Sequence, residues 1–160
     1  MFFLFFSKCG AGEIAAYVIN KARELGYPVS NLKLQKILYY LQGGFTAKYN
    51  RPLFNEDIEA WQLGPVVPSI YFNYRSYAAA NIPVQEIVVP KLTEEEFSFV
   101  DDIINRVVQL TPSELVTATH EEDPWKRTTQ GGHYVGPGNI MPIEDIQSFF
   151  VAGKSLIGTV

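Results

Sequence analysis

Residues Asn31 to Arg75 read NLKLQKILYYLQGGFTAKYNRPLFNEDIEAWQLGPVVPSIYFNYR, and the rest of the chain is arranged around them. Leu34, Ile37, Leu38, Leu41 and Phe45 recur at the spacing of one helix face, so the spacing predicts a helix from Asn31 to about Tyr49. Ser30 or Asn31 is its cap. A neighbouring face carries Gln35, Tyr39 and Gln42, polar but uncharged, which reads as a surface for something that exchanges hydrogen bonds. Gly43 and Gly44 fall inside the helix, where each costs about 1 kcal/mol against alanine. The apolar pattern stays in phase through Phe45, so close packing is expected at these glycines rather than a break.

Outward from this stretch the chain alternates helices and stops. A first helix is expected from Gly12 to Leu25, ended by Gly26 and Pro28. After a turn at Asn50-Arg51-Pro52, Ile58 to Trp61 reads as a short strand, and Ile87-Val88-Val89 is the β-branched run that could pair with it. Pro68 suits the first position of a helix to Ala79. Thr93 with Glu96, and Thr111 with Glu114, form two capping boxes that open helices to about Leu110 and Thr119. Pro124 to Thr128 should be a helical turn presenting Trp125. Gln130 to Asn139 reads as a mobile loop, and Pro142 starts a last helix through Phe150. The expected fold is mainly α with minor β: about six helices around one core with a short two-stranded antiparallel ribbon.

At 160 residues, 47% hydrophobic, the chain is long enough for one unassisted core, placed at residues 12–160. Residues 1–11 form an apolar lead-in: its apolar run is too short for a secretory signal and lacks a basic start. No run reaches the ~20 apolar residues of a membrane span. A net charge of −4 argues against a phosphate backbone as partner, so nucleic acid is not expected. Cys9 is the single cysteine, which excludes an internal disulfide and suits a reducing, cytoplasmic setting.

Catalytic constellations are scarce, and no cofactor or metal is expected. His120 and His133 fit no familiar metal spacing. His120-Glu121-Glu122-Asp123 is a compact titratable cluster that a small hydrolase or metal-dependent enzyme could use. The plainer reading has His120 capping one helix and Asp123 capping the next. Gly131-Gly132 and Gly136-x-Gly138 lack the Lys-Ser/Thr of a phosphate loop. Tyr39, Tyr40, Tyr49, Tyr71, Tyr74, Tyr77, Trp61 and Trp125 are too many large aromatics for a small core, and such residues anchor protein interfaces.

Three motifs in order, Lys33-Leu34-Gln35-Lys36-Ile37-Leu38-Tyr39-Tyr40-Leu41-Gln42, then Ile58-Glu59-Ala60-Trp61 with Gly64-Pro65-Val66-Val67-Pro68, then His120-Glu121-Glu122-Asp123-Pro124-Trp125, resemble the Panacea-domain family. These are the SocA-like antitoxins, also met as phage-associated or genetic-element proteins. The resemblance runs from about Ile14 to Phe150 and implies a mostly helical, non-enzymatic domain that neutralises a cognate toxin, encoded by an adjacent gene, by binding it. In some members the domain instead acts as an adaptor to a protease. The positions that match are Lys33, Gln35, Tyr39, Gln42, Trp61, Gly64, Pro65, Val66, His120, Pro124 and Trp125, and all of them but Pro124 form the expected partner-binding set. Two features depart from the family pattern: the apolar start, and Gly44, where a bulkier aromatic is common. No DNA-binding extension is expected.

Overall fold

The structure is a computed structural model that describes residues 7–160. Its elements are α1 (Ala11–Glu24), α2 (Asn31–Tyr49), β1 (Glu59–Trp61), β2 (Gly64–Val66), α3 (Pro68–Tyr74), α4 (Glu94–Val107), α5 (Pro112–Glu121), α6 (Asp123–Thr129) and α7 (Ile143–Val151). A 3₁₀ turn, Arg75–Tyr77, follows α3. The molecule is mainly α with a minor antiparallel ribbon, and α2, α4 and α5 start at side-chain caps that the sequence provides. Ser30 Oγ accepts from Lys33 N at the start of α2, and both predicted capping boxes are formed, by Thr93 with Glu96 and Thr111 with Glu114. No described helix is long and apolar enough to cross a membrane.

Helix α2 is the axis of the fold, touched by α1, α3, α4, α5, α7 and β2. Every residue from Lys33 to Thr46 is buried. The glycines make this enclosure possible. A Cβ at Gly43 would collide with the ring of Phe150 on α7, and one at Gly44 would come within 2.6 Å of Ile103 Cδ1 on α4. Close packing, rather than a helix break, is therefore their role. At Gly44 the space a larger side chain would need is taken by Ile103 of α4 and by Ile157.

The ribbon differs from the expected pairing. Glu59, Ala60 and Trp61 pair with Val66, Pro65 and Gly64 through a two-residue loop at Gln62 and Leu63. Joining neighbours through two residues costs less loop entropy than reaching Ile87–Val89, by about 0.6 kcal/mol for each halving of the loop. The other edge of β1 is also taken. Ala60 N donates to Asn139 O at 2.8 Å, Gly136 N to Ala60 O at 2.9 Å, and Met141 N to Ile58 O at 2.8 Å. The glycine-rich loop is thus pinned along β1. Val88 and Val89 stay exposed in an extended segment that Asn20 and Gln85 tie to α1 with two 2.8 Å bonds.

Residues 7–10 lie against the body: Cys9 is in the core, and Ser7 Oγ donates to Leu53 O. The expectation of an apolar lead-in at residues 1–11 falls otherwise on residues 1–6, which lie outside the described residues.

Candidate functional site

The uncharged polar row of α2 faces inward, which corrects its reading as a binding surface. Gln35 and Gln42 are 1% exposed and Tyr39 is fully buried. Each amide is occupied. Gln35 Oε1 accepts from Val67 N at 2.9 Å, while its Nε2 donates to Asn31 Oδ1 at 2.9 Å. Asn31 Nδ2 in turn donates to Tyr71 O at 3.0 Å. Gln42 Oε1 accepts from Leu53 N at 2.8 Å and its Nε2 donates to Phe54 O at 2.7 Å. Lys33, also buried, donates to Val108 O, and Lys36 Nζ donates to Pro65 O at 2.9 Å. These side chains serve neighbouring backbone that has no helix or sheet partner of its own. Asn31, Gln35 and Lys36 hold the ribbon and α3, Gln42 holds Leu53 and Phe54, and Lys33 holds the end of α4.

A polar knot sits at the same depth. Glu122, at the α5–α6 junction, accepts from Leu156 N at 3.0 Å through Oε2. Its Oε1 and the Tyr39 and Tyr40 hydroxyls are buried side by side, and none of the three completes a hydrogen bond. Burial pushes the Glu122 carboxyl up to about 7, against the donors around it. Burial first, and Glu122 second, raise the Tyr39 and Tyr40 hydroxyls as well. Burial alone brings Lys36 down to about 7.

The titratable cluster does not converge. Glu121 and Asp123 are exposed, Glu122 is buried, and His120 stacks on Trp125 with ring centroids 4.0 Å apart. His120 therefore does not cap α5, whose last turn is closed by Glu122 N on Thr119 O. Asp123 makes no cap bond either, since Glu122 holds the N-cap position of α6. Burial lowers the His120 pKa, opposed by a backbone contact at Gln62 and aided by Lys36. Among the described residues no three His, Cys, Asp or Glu side chains are placed to hold a metal ion. Trp125 is buried, and its Nε1 donates to Trp61 O at 3.0 Å. It braces the ribbon from behind.

What α2 and Trp125 brace is a groove of about 380 Å³ between the ribbon and α3. Trp61, Leu63, Val66, Tyr71, Arg75 and Ala78 line it, over Leu32, Gln35 and Asn31. Trp61 meets Tyr71 edge to face at 5.0 Å and Phe72 at 6.2 Å, and the Arg75 guanidinium lies 5.3 Å from the Phe72 ring. Leu63 and Phe72 are about half exposed, at 51% and 52%. Gly64, φ +104, lets the ribbon press onto the body, because a Cβ there would stand 2.7 Å from Thr119 Oγ1 and 3.0 Å from Lys36 Cε.

Of the partner-binding set, Trp61, Val66 and Gln35 reach the groove, and the buried Gly64 and Pro65 form the strand behind it. Lys33, Tyr39, Gln42, His120 and Trp125 do not line it. Leu63, Phe72, Arg75 and Ala78 were missed by sequence reasoning. The adjacent aromatics Tyr71-Phe72, just after a proline-started helix, were the available signal.

Residues 34–126, more than half of the chain, match the family model described as antitoxin SocA-like, Panacea domain. The chain is 29% identical over 133 residues to antitoxin SocA of Caulobacter vibrioides, a match that covers 76% of this chain and 71% of that protein. No solved structure matches. The matched span runs from within α2 through the ribbon and groove to Trp125, so it contains both the buried support and the surface it presents, and the chain belongs to the antitoxin SocA-like, Panacea domain family.

Proposed function

We propose that this chain is an antitoxin that neutralises a cognate toxin by direct binding, with the aromatic groove between the ribbon and α3 as its contact surface. The observation that carries the reading is the partly exposed cluster of Trp61, Leu63, Tyr71 and Phe72, held rigid by buried bonds from α2. Interfaces draw most of their energy from such aromatic anchors, and rigid anchors lose little entropy on binding. Binding rather than catalysis is its role, in the cytoplasm, as one domain over residues 12–160. The toxin is the product of an adjacent gene, and delivery of that toxin to a protease is the adaptor form of the same activity.

The test is rescue. Cells expressing the adjacent reading frame alone should stop growing, and co-expression of this chain should restore growth. Leu63→Asp should abolish rescue while leaving the melting temperature of the purified protein within a few degrees, because Leu63 is half exposed at a loop. Full rescue by a folded Leu63→Asp variant places the contact elsewhere.

A further inference from the structure

The groove has one charged side chain in its lining, Arg75. Its guanidinium leans on the Phe72 ring, and among the described residues no carboxylate lies within ion-pair distance of it. Stacking on an aromatic face leaves the five N–H donors of an arginine free for a carboxylate, which they match two at a time. Beside it Leu63, Val66, Trp61 and Tyr71 give the groove an apolar and aromatic wall, and the uncharged amides of Gln62, Asn31 and Gln35 join the lining. One free cation against an aromatic wall, on a chain of net charge −4, is a poor receptor for a phosphate polymer, which needs many cations. It is a good receptor for a short segment of protein, which can offer one acid and one apolar side chain together.

We infer that the groove takes a partner-protein segment carrying an acidic side chain next to a large apolar one, the carboxylate on Arg75 and the apolar group between Leu63 and Trp61. This rests on the binding reading above and adds the chemistry of the partner to it. The backbone at Ala78, φ 51 and ψ −123, sets the far rim of the groove in a conformation that L residues avoid, and strained backbone of this kind gathers at ligand clamps.

Random-peptide display against the immobilised full chain is the test. Selected peptides should carry Asp or Glu within two positions of Leu, Ile, Met, Phe or Trp. The best of them, made synthetically, should bind Arg75→Glu at least about tenfold more weakly, as expected for a lost charge-assisted pair. Arg75→Lys should lose less, and high salt should weaken the wild-type complex. Reselection on Arg75→Glu should exchange the acid for Lys or Arg. Circular dichroism on each variant confirms that it is folded, and Arg75 is exposed, so folding is expected to survive.

Three outcomes of the peptide experiment overturn the inference: no enriched peptides, enriched peptides without an acid, or equal binding to Arg75→Glu. The toxin arm separates this failure from that of the antitoxin reading. Rescue lost in Leu63→Asp but kept in Arg75→Glu would leave an antitoxin with a different anchor chemistry and sink the acidic segment. Acid-dependent peptides that compete for the groove, with rescue indifferent to both variants, would keep the inference and sink the toxin as its occupant.

Discussion

Ala78 holds φ 51 and ψ −123 at the end of the 3₁₀ turn, a region that costs an L residue about 1–3 kcal/mol. Glycine adopts it freely but loses more entropy on folding, by about 0.5–1 kcal/mol. Ala78→Gly should therefore stabilise the protein by about 1 kcal/mol, read as a higher urea midpoint with an unchanged slope. A lower midpoint would mean that no strain is stored there. Gly43 gives the opposite sign. Alanine would gain about 1 kcal/mol of helix propensity, but its methyl group would enter the ring of Phe150, which is fully buried and has nowhere to move. Overpacking of this kind costs about 1–3 kcal/mol, so Gly43→Ala should lower the melting temperature.

At the scale of one element, α2 is a scaffold whose polar side chains each hold a different strip of backbone. Gln35 holds the ribbon's end and α3, and Gln42 holds Leu53 and Phe54. Alanine at either site should cost about 1–3 kcal/mol, because buried backbone groups lose their partners. The two should part in function. Gln35→Ala should speed hydrogen exchange at the Val67 amide and weaken partner binding, whereas Gln42→Ala should do neither. Equal loss of binding in both would show that global stability, not groove geometry, limits affinity. Tyr39→Ala belongs here too. Tyr39 is fully buried against Tyr40 and Phe150, with centroids at 5.1 and 5.5 Å, so its truncation should cost about 3–5 kcal/mol and fail through unfolding.

Over the whole molecule, two buried groups brought to neutrality from opposite sides, an acid raised and a base lowered, shape the stability curve. Glu122 is raised from 4.5 to about 7, so between those values the folded state holds a proton that the unfolded state has lost. Its contribution is present below pH 4.5 and disappears as pH rises to about 7. Lys36 is lowered from 10.5 to about 7, so there the unfolded state holds the extra proton, and stability rises from pH 7 towards 10.5. The two limbs meet in a minimum near pH 7, provided by Glu122 facing Tyr39 and Tyr40 and by Lys36 facing Pro65 O and His120. Urea unfolding across this range should show Lys36→Met flattening the alkaline limb and Glu122→Gln flattening the acid one. A curve that changes in neither variant would mean that both groups keep their ordinary ionisation.

Local chemistry was written in the residues. Thr93, Thr111 and Ser30 set three helix starts through hydroxyls that reach only three positions along, and the motif order from Lys33 to Trp125 was enough to find the family. The phase of Phe45 was enough to keep Gly43 and Gly44 inside one helix. Which way a face points was not written there. Periodicity groups Gln35, Tyr39 and Gln42 on one side of α2, but an amide bonds as well to water as to buried backbone. That choice fell to groups distant in sequence: Val67 for Gln35, Glu122 beside Tyr39, and the chain that folds over Gln42. The ribbon was settled likewise, by a two-residue closure and by the glycine-rich loop that occupies its other edge. The groove followed from both, because a surface exists only once the elements beneath it have been packed.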